Sequence, residues 1–472
     1  MYTKYTYQDW EKVSGDKAKF AKTVVDDYKS SAFFGRCLES LRYFVGDNPS
    51  LDDKCQLRIE TREAKDASGR IVRRAQRESV PSARVSSNYL FRFITQENQT
   101  VLGNGVTLDD DIKARLGAGF DKALEQAGER ALLQSVVYGF WNLDHLEVIP
   151  ACVDADSGAV ALLDEMTSQI RVLIQFWQLS SDKPIYMRIF DAEGVRILRV
   201  EDGEAREYKP LTAYKTRVVE DSIGTRVVGT SNYNGLLPII PMYGNPEHES
   251  ELKQSIKSKI DCYDRIMSDF GDNLDRANDV YWVLSNFGGN TDEALDVIQQ
   301  IQELKIAMSV SDGTTTSDVR PETISVPYEA RQTALTLLDR ALYADAMALD
   351  TNALTGGSLT NVAIRAAMTN LNLKCDRYEW QAFQFVQELL SLIGVKTEKI
   401  RFVRSDIANK SETVQDIYVM RSDITRKKAL ELNPYINPDE IDEILKDMDA
   451  EDTTGIDSVE RLQEQIDKES EA

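Results

Sequence analysis

Along the first 245 residues the spacing of apolar positions changes several times. Between 17 and 46, Phe20, Val24 and Tyr28, then Phe33, Cys37 and Leu41, recur on helical faces. Residues 86–101 (SSNYLFRFITQENQTV) repeat that spacing before the turn Leu102-Gly103-Asn104-Gly105, and a further helix is predicted over 110–138, ending at Tyr138-Gly139. The interval 61–79, polar, basic and broken by Ser68-Gly69, predicts an exposed loop. Residues 170–178, 184–191 and 194–200 are β-branched and aromatic, are separated by polar turn clusters, and predict strands, with 212–230 continuing the meander. The expectation for this half is an α+β domain with a small antiparallel sheet.

The pattern then turns helical. Gly235-Leu236-Leu237-Pro238-Ile239-Ile240-Pro241 predicts an extended crossing segment, because proline cannot donate to a central ladder. Asn245 reads as an N-cap with Pro246 at the first helical position. Apolar positions from Leu252 through Ile256, Ile260, Tyr263, Met267, Phe270, Leu274, Ala277 and Tyr281 predict one amphipathic helix ending near Phe287-Gly288-Gly289. At about 40 residues and ~1.5 Å per residue it would be a rod of roughly 60 Å. A compact excursion follows, with a helix over 291–307, a polar loop over 310–320 and a short strand over 322–327. A second helix is expected at 328–349 and a third at 361–393, separated by the loop 350–360. A strand-like piece at 399–403 precedes short helices at 424–432, 438–448 and 457–469.

Composition narrows the chemistry. The 472 residues are 42% apolar and 28% charged, a globular balance. No run approaches the ~18 apolar residues of a membrane span, and the first thirty residues carry no secretory signal pattern. The five cysteines (37, 55, 152, 262 and 375) are scattered and include no C-x-x-C pair, which predicts reduced thiols in a cytosol rather than disulfides or a zinc knuckle. Histidines are limited to His145, in an apolar setting expected to be structural, and His248, expected on the exposed first turn of the long helix. No P-loop or dinucleotide fingerprint occurs. The net charge is −22, with fifteen acidic and three basic residues in 431–472, expected to be a solvated face or tail. No basic stripe marks a conventional duplex-DNA binder.

Asp261, Asp264, Asp269, Asp272, Asp275 and Asp279 decorate the long helix and read as a solvated face; paired carboxylates for a hydrolase are the other reading. Thr355-Gly356-Gly357-Ser358 exposes backbone N–H groups before a helix but lacks a phosphate-binding lysine, so a connection or a projecting loop is expected. Trp177, Trp282 and Trp380 hold periodic apolar positions suited to core or subunit contact.

Taken in order, several segments resemble the portal proteins of tailed bacteriophages, of the siphophage type from Gram-positive hosts. They are Asn88 through Leu102-Gly103, the strand run 184–210, the 235–245 crossing, Asp261-x-Tyr263-Asp264-x-x-x-Ser268-Asp269, and Gly356-Gly357-Ser358-Leu359-Thr360-Asn361-Val362-Ala363-Ile364. In the last, Thr360-Asn361 stands where the family usually has Ser-Gly. The resemblance covers about residues 20–400.

It implies a mainly helical α+β portal fold. Residues 1–245 would form a wing, 246–285 and 328–349 stem helices, 286–327 a clip, 350–360 a tunnel loop, 361–396 a long wing helix, and 397–472 a helical crown with an acidic tail. The implied protein is a ring, usually a dodecamer, at one capsid vertex, through which double-stranded DNA is packaged and ejected. It would dock the terminase large subunit and a head–tail adaptor and nucleate assembly with scaffolding and major capsid proteins. It would be a virion component assembled in the host cytoplasm, with no catalytic residues, metal or cofactor and no membrane. Thr351, Asn352, Leu354, Thr355, Gly356, Gly357, Ser358 and Thr360 would touch DNA from the tunnel loop. Asp264, Asp272, Asp339 and Asp345 would line the channel. Asn286, Gly288, Gly289, Asp312 and Thr314 would belong to the clip. The alternatives are an acidic α+β hydrolase using carboxylates on the 246–286 helix, and another multimeric capsid or tail adaptor.

Overall fold

A computed structural model of the chain describes residues 2–13, 15–65, 71–201, 203–221, 224–233, 235–277, 281–285, 318–322, 328–351, 361–397, 399–404, 410–420, 424–433, 436, 441 and 443–448. The described chain is α+β, and all of its strand pairs are antiparallel. Two compact units emerge: Met1–Ala348 with Lys374–Arg404, and Leu349–Leu373 with Ser405–Ala472.

The first unit begins with helices α1 (Tyr7–Lys12), α2 (Lys17–Lys29) and α3 (Ala32–Phe44). The break between α2 and α3 is chemical: Ser31 caps α3 by accepting a hydrogen bond from the Phe34 N–H. A hairpin follows, β1 (Cys55–Lys65) with β2 (Ile71–Pro81), in register from Cys55 opposite Pro81 to Lys65 opposite Ile71. The loop expected at 61–79 is therefore strand over 61–65 and 71–79. The alternation Leu57-Arg58-Ile59-Glu60-Thr61-Arg62 has the period of a strand, and the charged, irregular run after it hid the hairpin.

Helix α4 (Tyr89–Leu102) and strand β3 (Val106–Thr107) lead to α5 (Asp110–Leu116) and α6 (Phe120–Gln134). The single helix expected over 110–138 is split at Gly117, whose φ of +82° favours glycine. Its expected last turn belongs instead to β4 (Val136–Asn142), where Val136-Val137-Tyr138 suit a buried strand. β4 pairs with β5 (His145–Pro150) and β14 (Ile239–Tyr243). β6 (Cys152–Asp154), β7 (Ser157–Leu163), β8 (Ile170–Trp177), β9 (Ile185–Asp191), β10 (Gly194–Glu201) and β11 (Glu204–Thr212) form a six-stranded meander, and β12 (Lys215–Asp221) pairs with β13 (Gly224–Ser231).

The core lies where α2, α3 and α6 cover these sheets. Tyr28, Phe34 and Phe176 make an aromatic cluster with ring centroids 5.3–6.2 Å apart, and the Tyr28 hydroxyl donates to the Ala151 carbonyl at 3.1 Å. Gln134, fully buried, satisfies both backbone groups of Cys152, donating to its carbonyl at 2.5 Å and accepting from its N–H at 3.0 Å.

The long rod expected from Pro246 is shorter. Helix α7 runs Gln254–Ala277, 24 residues or about 36 Å. Residues 246–253 make a turn because their polar groups go elsewhere. The Glu251 N–H donates to the Leu132 carbonyl at 3.0 Å, and the Ser250 hydroxyl to the Leu133 carbonyl at 2.8 Å. Asn245 caps this turn rather than the helix, accepting from the Glu249 N–H at 3.0 Å. Past the helix, Tyr281–Ser285 is strand β15, paired with β16 (Asp318–Glu322); the β-prone run Tyr281-Trp282-Val283-Leu284 overrides the helical period. Helix α8 is Tyr328–Asp345.

Helix α9 is Asn361–Leu392, as the periodicity predicts. Strand β17 (Arg401–Phe402) pairs with β3. In the second unit lie α10 (Lys410–Val419) and α11 (Arg426–Leu432), and residues 443–448 are helical. The helices expected at 291–307 and 457–469 lie outside the described residues, as do residues 323–327 of the strand expected at 322–327, whose Glu322 ends β16. His145 corrects its expectation: it is exposed at the start of β5, 2.9 Å from Asp144. His248 is exposed as expected, but it sits in the turn before α7 with its ring stacked 3.6 Å from Tyr243.

Gly128 marks a close approach of helices α4, α6 and α9. A Cβ there would lie 1.9 Å from the Tyr378 hydroxyl and 2.4 Å from Asn98 Oδ1, two atoms that form a 2.6 Å hydrogen bond with each other. In an open helix, Gly→Ala would stabilise by about 1 kcal/mol. Here the clash and the lost hydrogen bond win. Gly128→Ala is expected to destabilise the chain by about 2–4 kcal/mol in denaturant unfolding.

Candidate functional site

The aspartates of α7 are not all solvated. Residues 82–88 precede α4 without regular structure, and their alternate N–H groups face one side of α7. Asp264 accepts from the Ser87 N–H at 2.9 Å, Ser268 from the Val85 N–H at 2.9 Å, and Asp272 from the Ala83 N–H at 2.6 Å. Four helical residues advance about 6.0 Å and two extended residues about 6.6 Å, so an i, i+4, i+8 row can serve every second amide of an antiparallel segment. The remaining oxygens are also engaged. Asn48 Nδ2 donates to Asp264 at 2.7 Å, and the Ser82 hydroxyl and Lys54 donate to Asp272. Gly271 keeps the approach close, since a Cβ there would already sit 3.2 Å from the Ala83 methyl.

Asp264 and Asp272 are 1% and 7% exposed. This corrects two expectations at once, the solvated face and the channel lining, because a carboxylate buried among its own subunit's donors lines no channel. The pair a hydrolase would need is likewise committed as hydrogen-bond acceptors. Asp261 takes the Tyr43 hydroxyl, while Asp269 stays exposed and pairs with Lys54 at 2.9 Å. Burial pushes the Asp264 carboxyl above its ordinary value against the hydrogen bonds from Asn48 and Ser87. At Asp272 burial acts the same way, but the donors Ser82, Ala83 and Lys54 outweigh it and hold the carboxyl below its ordinary value.

The other two channel candidates lie on α8. Asp339 accepts the Tyr89 hydroxyl at 2.6 Å, and exposed Asp345 pairs with Lys259. These contacts belong to an antiparallel pairing of α7 with α8. Tyr89 packs on Tyr263 with ring centroids 5.2 Å apart, Phe93 on Tyr343 at 5.4 Å, and Phe270 on Tyr328 at 6.0 Å. Along α8 only Leu342 is buried; Tyr328 and Leu337 are 56% and 60% exposed, and Leu274 on α7 is 49% exposed. Trp177 is half-buried and stacked on Tyr186, and Trp380 is exposed.

Of the tunnel-loop candidates, Thr351 is described and exposed. Asn352, Leu354, Thr355, Gly356, Gly357, Ser358 and Thr360, and the clip candidates Asn286, Gly288, Gly289, Asp312 and Thr314, lie outside the described residues, as does the side chain of Trp282. Among the described residues no three His, Cys, Asp or Glu side chains gather as a metal set, and no helix is long and apolar enough to cross a membrane.

Removing Asp272 would strand the Ala83 N–H, the Ser82 hydroxyl and half of the Lys54 pairing. Asp272→Ala is expected to cost about 2–4 kcal/mol in denaturant unfolding, whereas Asp269→Ala, losing an exposed pair, costs about 0–1 kcal/mol. Because the Asp272 carboxyl titrates lower in the folded chain than in the unfolded one, its contribution is present above the ordinary value of 3.8 and fades as pH falls through the lower folded value. The gap between D272A and the parent should therefore narrow in acid.

The comparisons with known proteins now bear on this arrangement. The family model described as "Phage portal protein, SPP1 Gp6-like" matches residues 26–454. A curated relative, the portal protein of Clostridium phage phiCD119, is 24% identical over 218 residues, 44% of this chain and 47% of that protein. The chain thus spans about half the length of that relative. The match of the family model includes both α7 and α8, the ladder to residues 83–87 and all of the sheets, and on that extent the chain belongs to the SPP1 Gp6-like family of phage portal proteins.

Proposed function

We propose that this chain assembles into a ring, a dodecamer, at one vertex of a phage capsid and conducts double-stranded DNA through its centre during packaging and ejection. The carrying observation is the family match across 26–454. The α7–α8 pair supports it: two antiparallel helices held to the rest of the unit by aromatic and aspartate contacts, with Tyr328, Leu337 and Leu274 left exposed for a neighbouring copy. A ring closes when such heterologous faces repeat by rotation. In this reading Asp339 and Asp345 remain the channel-side candidates, residues 350–360 reach toward the DNA and 286–327 meet the packaging machinery.

The charge fits a conduit. Non-specific DNA binding at ~10⁻⁴–10⁻⁶ M corresponds to roughly 5.5–8 kcal/mol of adhesion, which would hinder a sliding duplex. A chain of net charge −22 repels phosphates and keeps contact brief. The chain itself is assigned no catalytic step and no cofactor. ATP hydrolysis belongs to the terminase large subunit docked on it, alongside a head–tail adaptor, and scaffolding and major capsid proteins meet it during assembly in the host cytoplasm. Its final place is the virion.

Electron microscopy of the purified full chain is expected to show end-on rings with a central hole; compact solid particles at assembly-permissive concentration and salt would overturn the proposal. Duplex binding should be weak, with a shallow slope of log K against log salt, and a steep slope would contradict passage without gripping. Shortening 351–360 is expected to leave rings intact and to reduce DNA packaged per procapsid.

A further inference from the structure

A second set of buried charges in the first unit takes no part in the α7 ladder. Lys374 of α9 has a side chain only 13% exposed, and its Nζ lies 2.7 Å from Glu97 Oε2 on α4 and 2.7 Å from Glu251 Oε2 in the turn before α7. Glu97 and Glu251 are 2% and 4% exposed. Two carboxylates therefore face one ammonium in a site shielded from water. Fully ionised, the trio would hold one uncompensated negative charge, and such a charge is costly to bury.

The surroundings decide where a proton would sit. Glu251 has a second donor, Asn245 Nδ2, 3.2 Å from its Oε1, whereas Lys374 is the one charged group paired with Glu97. Other ionisable groups near the trio are Lys253 of the same turn, Cys375 and Tyr378 of α9, and Glu125 and Glu129 of α6. Lys253 acts on both carboxylates and is exposed, while Arg404 and Asp376 lie one group further out, beside Cys375. The Tyr378 hydroxyl donates its hydrogen bond to Asn98 Oδ1, so it does not serve a carboxylate of the trio.

We infer that Glu97, Lys374 and Glu251 form a proton-operated joint. With one proton held between the carboxylates the trio is neutral and clamps α4, the 245–253 turn and α9 together. When that proton leaves, the net negative charge loosens the junction. Burial, working against the Lys374 attraction and with the repulsion from Glu251, raises the Glu97 carboxyl to about 7, whereas the donors Lys374 and Asn245 prevail over burial to hold Glu251 below its ordinary value. A carboxyl raised on folding favours the closed state most below its unfolded value of 4.5, and that advantage is lost as pH rises toward 7.

Hydrogen exchange on the full chain tests this at amides of 89–102 and 245–253, corrected for intrinsic rates. The opening equilibrium of the parent is expected to rise about tenfold per pH unit between about 5 and 7 and to level off above that. Glu97→Gln, which removes the excess charge and keeps the shape, should flatten the profile. A parent profile that is already flat, or a Glu97→Gln profile as steep as the parent's, overturns the inference. Should that variant fail to fold, the parent alone still decides. The infrared carbonyl band of a protonated carboxylic acid should vanish with a midpoint near pH 7, and its absence at pH 5.5–6 from all groups but exposed ones overturns the joint. Neither readout depends on ring formation, so the outcome is separate from that of the proposed conduit.

Discussion

The architecture of the first unit depends on a backbone segment that forms no sheet and yet satisfies its polar groups. Residues 83, 85 and 87 give their N–H groups to Asp272, Ser268 and Asp264, three side chains on one stripe of α7. Buried amides without acceptors are costly, so this stripe replaces the missing neighbour strand. The segment leads directly into α4, whose Tyr89 and Phe93 pack against α7 and α8. The ladder thereby fixes where the helix pair sits relative to the α+β body.

What the amino-acid pattern revealed, and what it hid, follows from that constraint. Helices with a regular apolar stripe, such as α2, α3, α4 and α9, were readable because burial against one partner follows the 3.6-residue period. Meander strands β8 to β10 were readable from their β-branched and aromatic residues set between polar turn clusters. Asp264 and Asp272 misled because an aspartate on a helix normally faces water, and sequence alone does not show that unpaired amides 180 residues away need acceptors. The signal available was their spacing with Ser268: three short acceptors at i, i+4 and i+8. Glu97 and Lys374 were missed as well. Each interrupts an apolar stripe, Glu97 between Phe93, Ile94 and Val101, and Lys374 between Leu371, Cys375 and Tyr378. A charge on the buried side of a helix is the mark of a partnered group.

The helix over 246–253 failed for a different reason. Its propensities are helical, with a good cap and a favourable proline, but tertiary partners outbid the local ladder. Gly244 passes so near α6 that a Cβ would lie 2.9 Å from the Ala131 carbonyl, and from there Ser250 and Glu251 bond to carbonyls of the same helix. Local signals choose among conformations only where the surrounding chain leaves the backbone groups free.

Strand β14 has one more consequence. It is the outer strand of its three-stranded sheet, and the Trp141 N–H donates to the Pro238 carbonyl. That phase turns the polar groups of 238, 240 and 242 inward and those of 239, 241 and 243 outward. Among the described residues no strand pairs with that outward side, and Pro241 deletes a donor from it, where a stray strand would otherwise find a template. In the proposed ring, where copies would meet through chosen surfaces alone, this one imino acid is a safeguard against zipping together along the wrong border.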